Sequence, residues 1–380
     1  MKKIISIIAV LALVLSVVLA GCGPKTPEAP KQAEAPKPTE AAKATEAPKP
    51  LVVGFIYVGP INDGGYNEAH DNGRKVLEKE LGDKVKILYR ESVPEGPECE
   101  KALRDLVDQG AKVIFSTSFG FMDFTEKVAK DHPEVIFMHC SGFKTLPNMG
   151  TYFGKIEEPR YLSGIVAGLK TKSNKIGYVA AFPIPEVIRG ANAFALGVQS
   201  VKPEATVEVV WTNTWYDPAK EKEAAKALLD RGCDVLAQHQ DSTATQIAAS
   251  EKNAFSIGYD LDHKDKIAGY MTAPIWNWGA YYVMAVKSIM DKSWKSGSYW
   301  GPMSEGIVDL APLTKDAPDG AQAKVDEAKK AILAGSLKVF KGPIMDQSGA
   351  VKIKEGDVMP DKDVWSMNWF VKGVIGIIPK

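Results

Sequence analysis

Apolar runs typical of buried strands alternate with helical patterns along this chain, and the alternation runs twice, first from Leu51 and again from Lys175. Strands that alternate with helices at this spacing indicate βαβ units around a parallel sheet. Two consecutive halves of similar length suggest two domains. The sequence therefore predicts an α/β fold in which two doubly wound parallel sheets face each other.

Each half has its own set of predicted elements. In the first half we expect strands that start at Leu51 and span 85–89, 113–115, 135–139 and 151–153, with helices over 68–80, 98–109, 121–130 and 160–170. In the second half we expect strands over 175–180, 206–211, 235–237, 255–258 and 266–271, with helices over 186–200, 218–231, 243–252 and 278–290. The tail over 294–380 is less regular, with one helix over 322–333.

The first 22 residues have the layout of a secretory signal peptide: Lys2 and Lys3, then an apolar stretch over 4–19 interrupted only by Ser6 and Ser16, and an ending Leu-Ala-Gly-Cys over 19–22. This ending resembles a bacterial lipobox, in which the cysteine, here Cys22, is lipidated and becomes the mature N-terminus. The alternative is an ordinary exported protein with an incidental cysteine. Acyl chains would tether the protein to a membrane surface.

Residues 23–50 repeat Pro, Lys, Glu, Ala and Thr and contain no aromatic residue. Such a segment cannot bury enough apolar surface to fold, so we expect a disordered spacer. The remaining residues, 51–380, are long enough for two domains. Overall, 45% of residues are hydrophobic and 25% charged, and Lys plus Arg equal Asp plus Glu at 47 each. Zero net charge gives no reason to expect a nucleic-acid partner.

Three further cysteines follow Cys22, namely Cys99, Cys140 and Cys233, and their spacing matches no zinc site. We expect small buried residues, and the sequence leaves a Cys99–Cys140 disulfide open.

Polar and aromatic residues gather after the predicted strands. Ligands in open α/β sheets bind at the carboxyl ends of the strands. The candidate ligand-binding residues in the first half are Asn62, Asp63, Tyr66, Asn67, Ser118, Phe119 and Asp123. Those in the second half are Phe182, Trp211, Trp215, His239, Asp241, Asp260, Asp262 and Trp276.

These residue types suit a flat ring with a polar edge, because aromatic faces stack on the ring while Asp and Asn read its edge. Sugars also stack on aromatic rings, so a sugar ligand stays open. Other interpretations exist for single residues. The loop at 62–67 could be a helix cap, His239 could be a cap or hinge residue, and Trp276 with Trp278 could serve packing.

Catalytic and metal-binding patterns are poor. The chain has no Gly-x-Ser-x-Gly motif and no phosphate-binding loop with lysine. The run Asp260-Leu261-Asp262-His263 lacks the further ligands that a metal site needs. We therefore expect a binding protein without a cofactor or metal rather than an enzyme.

The chain resembles the basic membrane lipoprotein family in its lipobox, in Gly-Phe-Ile-Tyr-Val-Gly-Pro-Ile-Asn-Asp-Gly-Gly-Tyr-Asn at 54–67, and in Trp-Tyr-Asp-Pro-Ala-Lys-Glu-Lys-Glu-Ala-Ala-Lys-Ala-Leu at 215–228. The resemblance covers roughly 51–310. It implies a substrate-binding component of an ATP-driven (ABC) importer with the type I periplasmic-binding fold. That fold has two lobes joined by a three-segment hinge, with crossings here near Phe153, Pro274 and Glu305.

The resemblance also implies the ligand class, which is purine nucleosides or, in some branches, free bases. Tyr66 matches the aromatic residue that stacks on the base, and Asp63, Asn67 and Asp123 match polar residues of the family. Either Asp260 or Asp262 would be the ribose-binding aspartate, but a ribose-binding lysine is missing from 271–276. This departure favours a bare base such as adenine.

We thus expect a signal peptide over 1–22, a linker over 23–50, a first lobe over 51–153 plus 275–304, and a second lobe over 154–274 plus 305–380. The expected function is a lipid-anchored extracytoplasmic receptor that passes a purine to importer permease and ATPase subunits. A surface nucleoside hydrolase and a receptor for a sugar or another solute are the alternatives.

Overall fold

Two parallel sheets of six strands each form the framework of residues 49–379, the part of the chain that a computed structural model describes. The predicted signal peptide, the lipidation site Cys22 and nearly all of the predicted linker lie outside these residues.

The strands are short and mostly buried. In chain order they are β1 (Leu51–Ile56), β2 (Val85–Arg90), β3 (Val113–Ser116), β4 (Ile136–Cys140), β5 (Met149–Gly154), β6 (Lys175–Ala180), β7 (Thr206–Trp211), β8 (Val235–His239), β9 (Phe255–Ile257), β10 (Tyr270–Thr272), β11 (Pro274–Trp276), β12 (Ser298–Gly301), β13 (Val308–Leu310), β14 (Ile344–Met345), β15 (Val351–Ile353) and β16 (Val374–Ile375).

The helices follow most of the strands and cover the sheets. They are α1 (Tyr66–Leu81), α2 (Pro97–Asp108), α3 (Met122–Asp131), α4 (Glu157–Lys170), α5 (Pro185–Val201), α6 (Pro218–Asp230), α7 (Ala244–Glu251), α8 (Trp278–Met290), α9 (Ala321–Leu333) and α10 (Asp361–Trp365). Short 3-10 turns lie at Gly82–Lys84, Phe119–Phe121 and Met303–Glu305.

Both sheets have the same type of strand order. The first runs β12-β5-β4-β3-β1-β2 and the second β10-β9-β8-β6-β7-β16, with parallel pairing throughout. The strand order reverses beside β1 in the first sheet and beside β6 in the second. A crevice forms at such a reversal, so the loops after β1, β3, β6 and β8 are where a ligand site is expected.

The expected α/β fold of the periplasmic-binding type is confirmed. The chain passes three times between the sheets: after β5, between β10 and α8, and after β12. The second and third passages pair with each other as the antiparallel strands β11 and β13, with Trp276 opposite Val308. These positions agree with the crossings expected near Phe153, Pro274 and Glu305.

Most predicted elements occur within a few residues of their expected bounds, and some limits were wrong. The strand expected over 266–271 is shorter and lies at β10, because Asp265 and Gly269 have positive φ angles of 62° and 75° and make a turn first. The described part of the tail contains the helices α9 and α10 rather than one helix. Its strand β16 also pairs with β7 at the edge of the second sheet.

Cysteine chemistry is simple in the described residues. Cys99, Cys140 and Cys233 are all buried free thiols, so the Cys99–Cys140 disulfide that the sequence left open does not form.

Candidate ligand-binding site

A narrow cavity lies between the carboxyl ends of the two sheets. Its volume is about 10 Å³, room for about one water molecule, within about 300 Å³ of space between the wall atoms. Since the loops at both reversals of strand order meet here, the cavity is where the topology predicts a site. Its lining residues come from both halves of the chain: Val58, Tyr66, Ser118, Phe119, Ser141, Glu186, Trp215, His239, Asp241 and Tyr259.

The loop after β1 is held in shape by Asp63. Its carboxylate accepts backbone N–H bonds from Gly65 (2.8 Å), Asn67 (2.9 Å) and Glu68 (3.0 Å), and one from the Asn67 side chain (2.7 Å). Asn67 in turn accepts from the Gly59 N–H at 3.1 Å. These bonds satisfy N–H groups at the start of α1 that would otherwise lack partners. Asp63 thus caps the helix, Asn67 ties the helix start to the end of the preceding strand, and Asn62 is exposed.

Tyr66 begins α1 and puts its ring at the cavity wall. Its hydroxyl donates to the Thr117 carbonyl oxygen at 2.7 Å and lies 3.3 Å from the Cys140 Sγ. His70 packs edge-on against the ring, with centroids 4.4 Å apart. The phenol group is therefore engaged, and only the ring surface is left for a ligand.

Glu95 joins the two halves at the mouth of the cavity. One carboxylate oxygen accepts from the Ser118 hydroxyl (2.5 Å) and the Gly120 N–H (2.8 Å) in the loop after β3. The other accepts from the Trp215 indole N–H at 3.2 Å, in the loop after β7. Glu95 therefore links the loops of the first sheet to Trp215 beside the second.

Two backbone approaches bring the halves still closer. The Gly64 carbonyl oxygen lies 2.6 Å from the His263 Nε2. A Cβ atom at Gly65 would overlap the backbone carbonyl of Asp241, so a side chain there would hold the loops apart. Glycine at this position permits the close contact between the loop after β1 and the loop after β8.

His239 and Glu186 form a buried pair in the second half, with 3.3 Å between the His239 Nε2 and the Glu186 carboxylate. Burial lowers the pKa of His239 to about 4, so the ring is neutral at neutral pH. Burial alone would raise the pKa of Glu186, but the hydrogen bond with His239 and the positive charge of Arg189 outweigh it, and the pKa lies below its usual value. Glu186 also occupies the first turn of α5, where the helix dipole favours a carboxylate.

Asp241 has an uncommitted oxygen at the cavity wall. The side chain is 3% exposed, and its Oδ2 has no hydrogen-bond partner among the described residues. Burial raises its pKa well above the usual value, and the nearby carboxyl groups of Asp63 and Asp260 raise it further. Since buried polar groups in native proteins nearly always have partners, this oxygen is the strongest indication of a ligand contact.

Aromatic rings approach the cavity from both sheets. Tyr66 and Phe119 lie on the first side, and Trp215 and Tyr259 on the second. The guanidinium of Arg160 covers the Tyr259 ring at 3.7 Å from its centroid, which fixes that ring from behind. The lining residues therefore offer a flat ring several aromatic faces and a few polar groups.

The structure places several predicted residues away from the cavity. Asp123 is exposed and pairs with Lys144 at 2.8 Å, because α3 turns it to the surface. Trp211 donates its indole N–H to the Ile377 carbonyl at 2.8 Å and stacks on Phe370 in the tail. Phe182 packs edge-on against Trp215, with centroids 5.0 Å apart, and supports it.

Three more predicted residues lie near the hinge instead. Trp276 stacks on Trp278, with centroids 4.2 Å apart, and its indole N–H donates to the Asp260 Oδ1 at 3.0 Å. Asp262 accepts from the Lys264 N–H at 2.9 Å and shapes a turn. The packing interpretation of the two tryptophans therefore fits their positions.

Sequence reasoning did not single out Val58, Ser141, Glu186 and Tyr259. Glu186 directly follows Pro185 at the start of a helix, a pattern usually explained by the helix dipole alone. Ser141 has a φ angle of 59°, a backbone conformation that the sequence does not predict. A search of every strand end for buried acids would have found Glu186.

Metal and membrane sites were also sought in residues 49–379. There, no group of three or more His, Cys, Asp and Glu side chains is arranged to hold a metal ion. In the same range, every helix is too short or too polar to cross a membrane.

Comparison with known proteins identifies the family. The model of the PnrA-like ABC transporter substrate-binding proteins matches residues 51–340. The chain belongs to this family. PnrA-like proteins bind a small-molecule solute, work with permease and ATPase subunits, and are typically extracytoplasmic.

Two relatives of this PnrA-like protein are named for different ligands. A purine-binding protein of Brucella abortus is 42% identical over 87% of this chain and 94% of its own length. A Haloferax volcanii protein named for glucose binding in an ABC transporter is 38% identical over 86% of this chain and 80% of its own length.

Solved structures support the fold. An ABC solute-binding protein of Conexibacter woesei aligns with a TM-score of 0.62 at 23% identity, covering 76% of this chain and 98% of that one. One from Aeropyrum pernix aligns with a TM-score of 0.65 at 20% identity, covering 76% and 93%.

Proposed function

We propose that this protein captures a purine and delivers it to an ABC importer. The proposed ligand is a free base such as adenine in preference to a nucleoside. The observation that carries the proposal is the cavity between the sheets, which is lined by aromatic rings from both halves and by Asp241, whose Oδ2 has no partner among the described residues. Rings stack on a purine, and a carboxyl group bonds its polar edge. The purine-binding relative from Brucella abortus supports the same ligand class.

A free base is favoured over a nucleoside by the missing lysine. In the family, an aspartate after the strand corresponding to β9 and a lysine further on would hold a ribose. Here the Asp260 Oδ1 accepts from the Trp276 indole at 3.0 Å, while its Oδ2 has no partner among the described residues. No lysine occurs over 270–277. Of the two groups that would hold a ribose, only the aspartate is therefore present.

Binding requires movement. A purine is larger than the 10 Å³ left in this closed arrangement, so the walls must separate before the ligand enters. We propose that a lobe of 51–153 plus 275–304 swings against a lobe of 154–274 plus 305–380 about the three crossings. Ligand contacts made only in the closed state then shift the population toward closure.

A ligand panel tests the proposed function. Adenine, hypoxanthine, adenosine, guanosine, ribose and glucose are added in turn, and the melting temperature is measured, since a ligand that binds the native state raises it. We expect adenine or another free base to give the largest rise. A rise with glucose or ribose alone would establish the second candidate, a sugar receptor, which the Haloferax volcanii relative suggests.

Turnover is checked in the same samples. We expect adenosine to be recovered unchanged after long incubation. Release of free adenine would instead identify a nucleoside hydrolase and contradict the receptor proposal.

The link through Glu95 gives a prediction about closure. Glu95→Ala removes the acceptor of the Trp215 indole and of Ser118, so the closed state loses about 1 kcal/mol and adenine affinity falls by about three- to tenfold. Calorimetric titration with adenine measures this change, and Glu98→Gln in the neighbouring exposed turn is the control. Unchanged affinity in Glu95→Ala would show that this link does not hold the closed state.

The membrane tether is proposed from the sequence motif at Cys22. Cys22→Ser is expected to move the protein from the membrane fraction to the soluble fraction of export-competent cells, because the lipid can no longer be attached. Retention of the variant in the membrane fraction would contradict the tether.

A further inference from the structure

A second chamber opens beside the cavity and is larger than it. Its volume is about 250 Å³, and it is lined by Phe119, Ser141, Phe143, Pro185, Glu186, Arg189, Trp365 and Ser366. Phe119, Ser141 and Glu186 line both spaces, so the two adjoin at these residues. The cavity has to widen before it can hold a purine, and a shift of these shared side chains would open it to the chamber.

Half of the residues around the chamber carry rings. Phe119 and Phe143 come from loops of the first half, Pro185 begins α5, and Trp365 ends α10 in the tail. Phe143 lines the chamber and is 58% exposed. Together these rings give the chamber a largely apolar wall of the kind that ligand pockets have.

Arg189 lies at the chamber wall, and its positive charge is already partly compensated by neighbouring groups. Its guanidinium carbon lies 4.7 Å from the centroid of the Trp365 ring and 5.4 Å from that of Phe153. The charges of Glu157 and Glu186 act on it as well. Its Nε and Nη2 have no hydrogen-bond partner among the described residues, so an anionic ligand group is the competing occupant.

The tail contributes a wall that the family pattern does not define. The family model ends at residue 340, whereas Trp365 and Ser366 come from the segment beyond it. That segment is fixed to the second half, since the Asn192 side chain donates to the Trp369 carbonyl at 2.8 Å and accepts from the Val371 N–H at 2.9 Å. The chamber is thus built on an anchored segment.

We propose that this chamber is a second subsite, which receives an apolar, planar substituent carried by the purine. The inference rests on the proposed function and names its substrate class more closely: a purine base substituted with an aromatic or unsaturated apolar group. The rings of Phe119, Phe143 and Trp365 stack on or border such a group. Because Phe119, Ser141 and Glu186 border both spaces, one molecule would occupy both once these side chains shift apart.

The test compares adenine with N6-benzyladenine, 9-benzyladenine and 9-carboxymethyladenine by calorimetric titration of the whole mature protein. We expect one benzyl isomer, the one whose substituent points to the chamber, to bind at least fivefold more tightly than adenine. In Phe143→Ser and in Trp365→Leu that advantage should fall below twofold, while adenine affinity stays unchanged. Two variants are used because Trp365 also packs against Arg189, whereas the exposed Phe143 can be replaced without a cavity in the core.

The remaining outcomes separate the failures. If adenine and both benzyl isomers do not bind at all, the proposed function fails. If adenine binds and neither benzyl isomer gains, the subsite is wrong while the function stands. A larger gain with the carboxymethyl compound makes the chamber an anion site at Arg189. If Phe143→Ser changes the association and dissociation rates equally for every ligand, the chamber is a passage to the cavity. Either this result or a larger gain with the carboxymethyl compound overturns the subsite.

Discussion

Asp241→Asn is expected to weaken adenine binding by about 10- to 100-fold, the range for losing a hydrogen bond to a charged group. The Asp241 carboxyl is buried, its Oδ2 has no partner among the described residues, and the carboxyl groups of Asp63 and Asp260 lie nearby. An N–H group of the ligand edge would supply that partner. Calorimetric titration measures the loss.

The same substitution is expected to make the unliganded protein more stable. Because the pKa of Asp241 is raised in the native state, the native protein holds this proton more tightly than the unfolded chain does. The free energy of unfolding therefore falls as the pH rises above the usual carboxyl pKa, and Asp241→Asn removes that fall. The melting temperature of the variant should exceed that of the parent at pH 8.

Glu223→Gln, on the exposed face of α6, is the matched control and should change neither quantity. A variant Asp241→Asn that gains stability yet binds adenine as the parent does would remove Asp241 from the site. A gain in stability together with a loss of ligand affinity, as expected for Asp241→Asn, is typical of residues retained for function.

Glu157→Gln is expected to stabilise the protein by about 3 kcal/mol at pH 8 and by almost nothing at pH 4. Glu157 is buried in the first turn of α4, just after the first crossing, and its Oε2 has no partner among the described residues. Burial raises its pKa to about 7, although the charge of Arg189 opposes the rise. Between pH 4.5 and 7 the native state binds more protons than the unfolded chain, so stability falls as the pH rises.

The difference between variant and parent is the quantity to measure, by urea unfolding at several pH values. Burial lowers the pKa of His139 and of His239 to about 4, and these groups have the opposite sign: they lower stability as the pH falls from 6.5 toward 4. The parent curve mixes both effects, whereas the difference isolates Glu157. Glu204→Gln is an exposed control. A difference that does not grow between pH 5 and pH 8 would contradict the prediction.

The sequence predicted the framework because periodic apolar patterns carry it. The strands β6 and β7 and the helix α8 have the bounds that their patterns indicate. The short strands β11 and β13 were missed as strands, because three residues that pair across a hinge leave no alternating pattern. Their pairing depends on contacts between segments far apart in the chain.

The site was less predictable for a different reason. Loop composition shows which residue types are present, but not which bonds they make. Asp63 looked like a ligand group and is occupied by four hydrogen bonds that cap α1. Asp241, with a similar signal, is left with an oxygen that has no partner among residues 49–379. The difference lies in the backbone N–H groups within reach, which only the folded loop defines.

The hydrogen bonds across the cleft also affect the rate at which a bound solute is released. The lobe opening proposed above breaks the Trp215–Glu95 and His263–Gly64 hydrogen bonds before a captured solute leaves. Each is a single hydrogen bond at the rim, worth about 1 kcal/mol, so together they would slow release by roughly tenfold to a hundredfold. A receptor that closes in this way would hold a scarce nutrient longer without trapping it. Tightening either bond would improve scavenging at low concentration and limit flux when the nutrient is abundant.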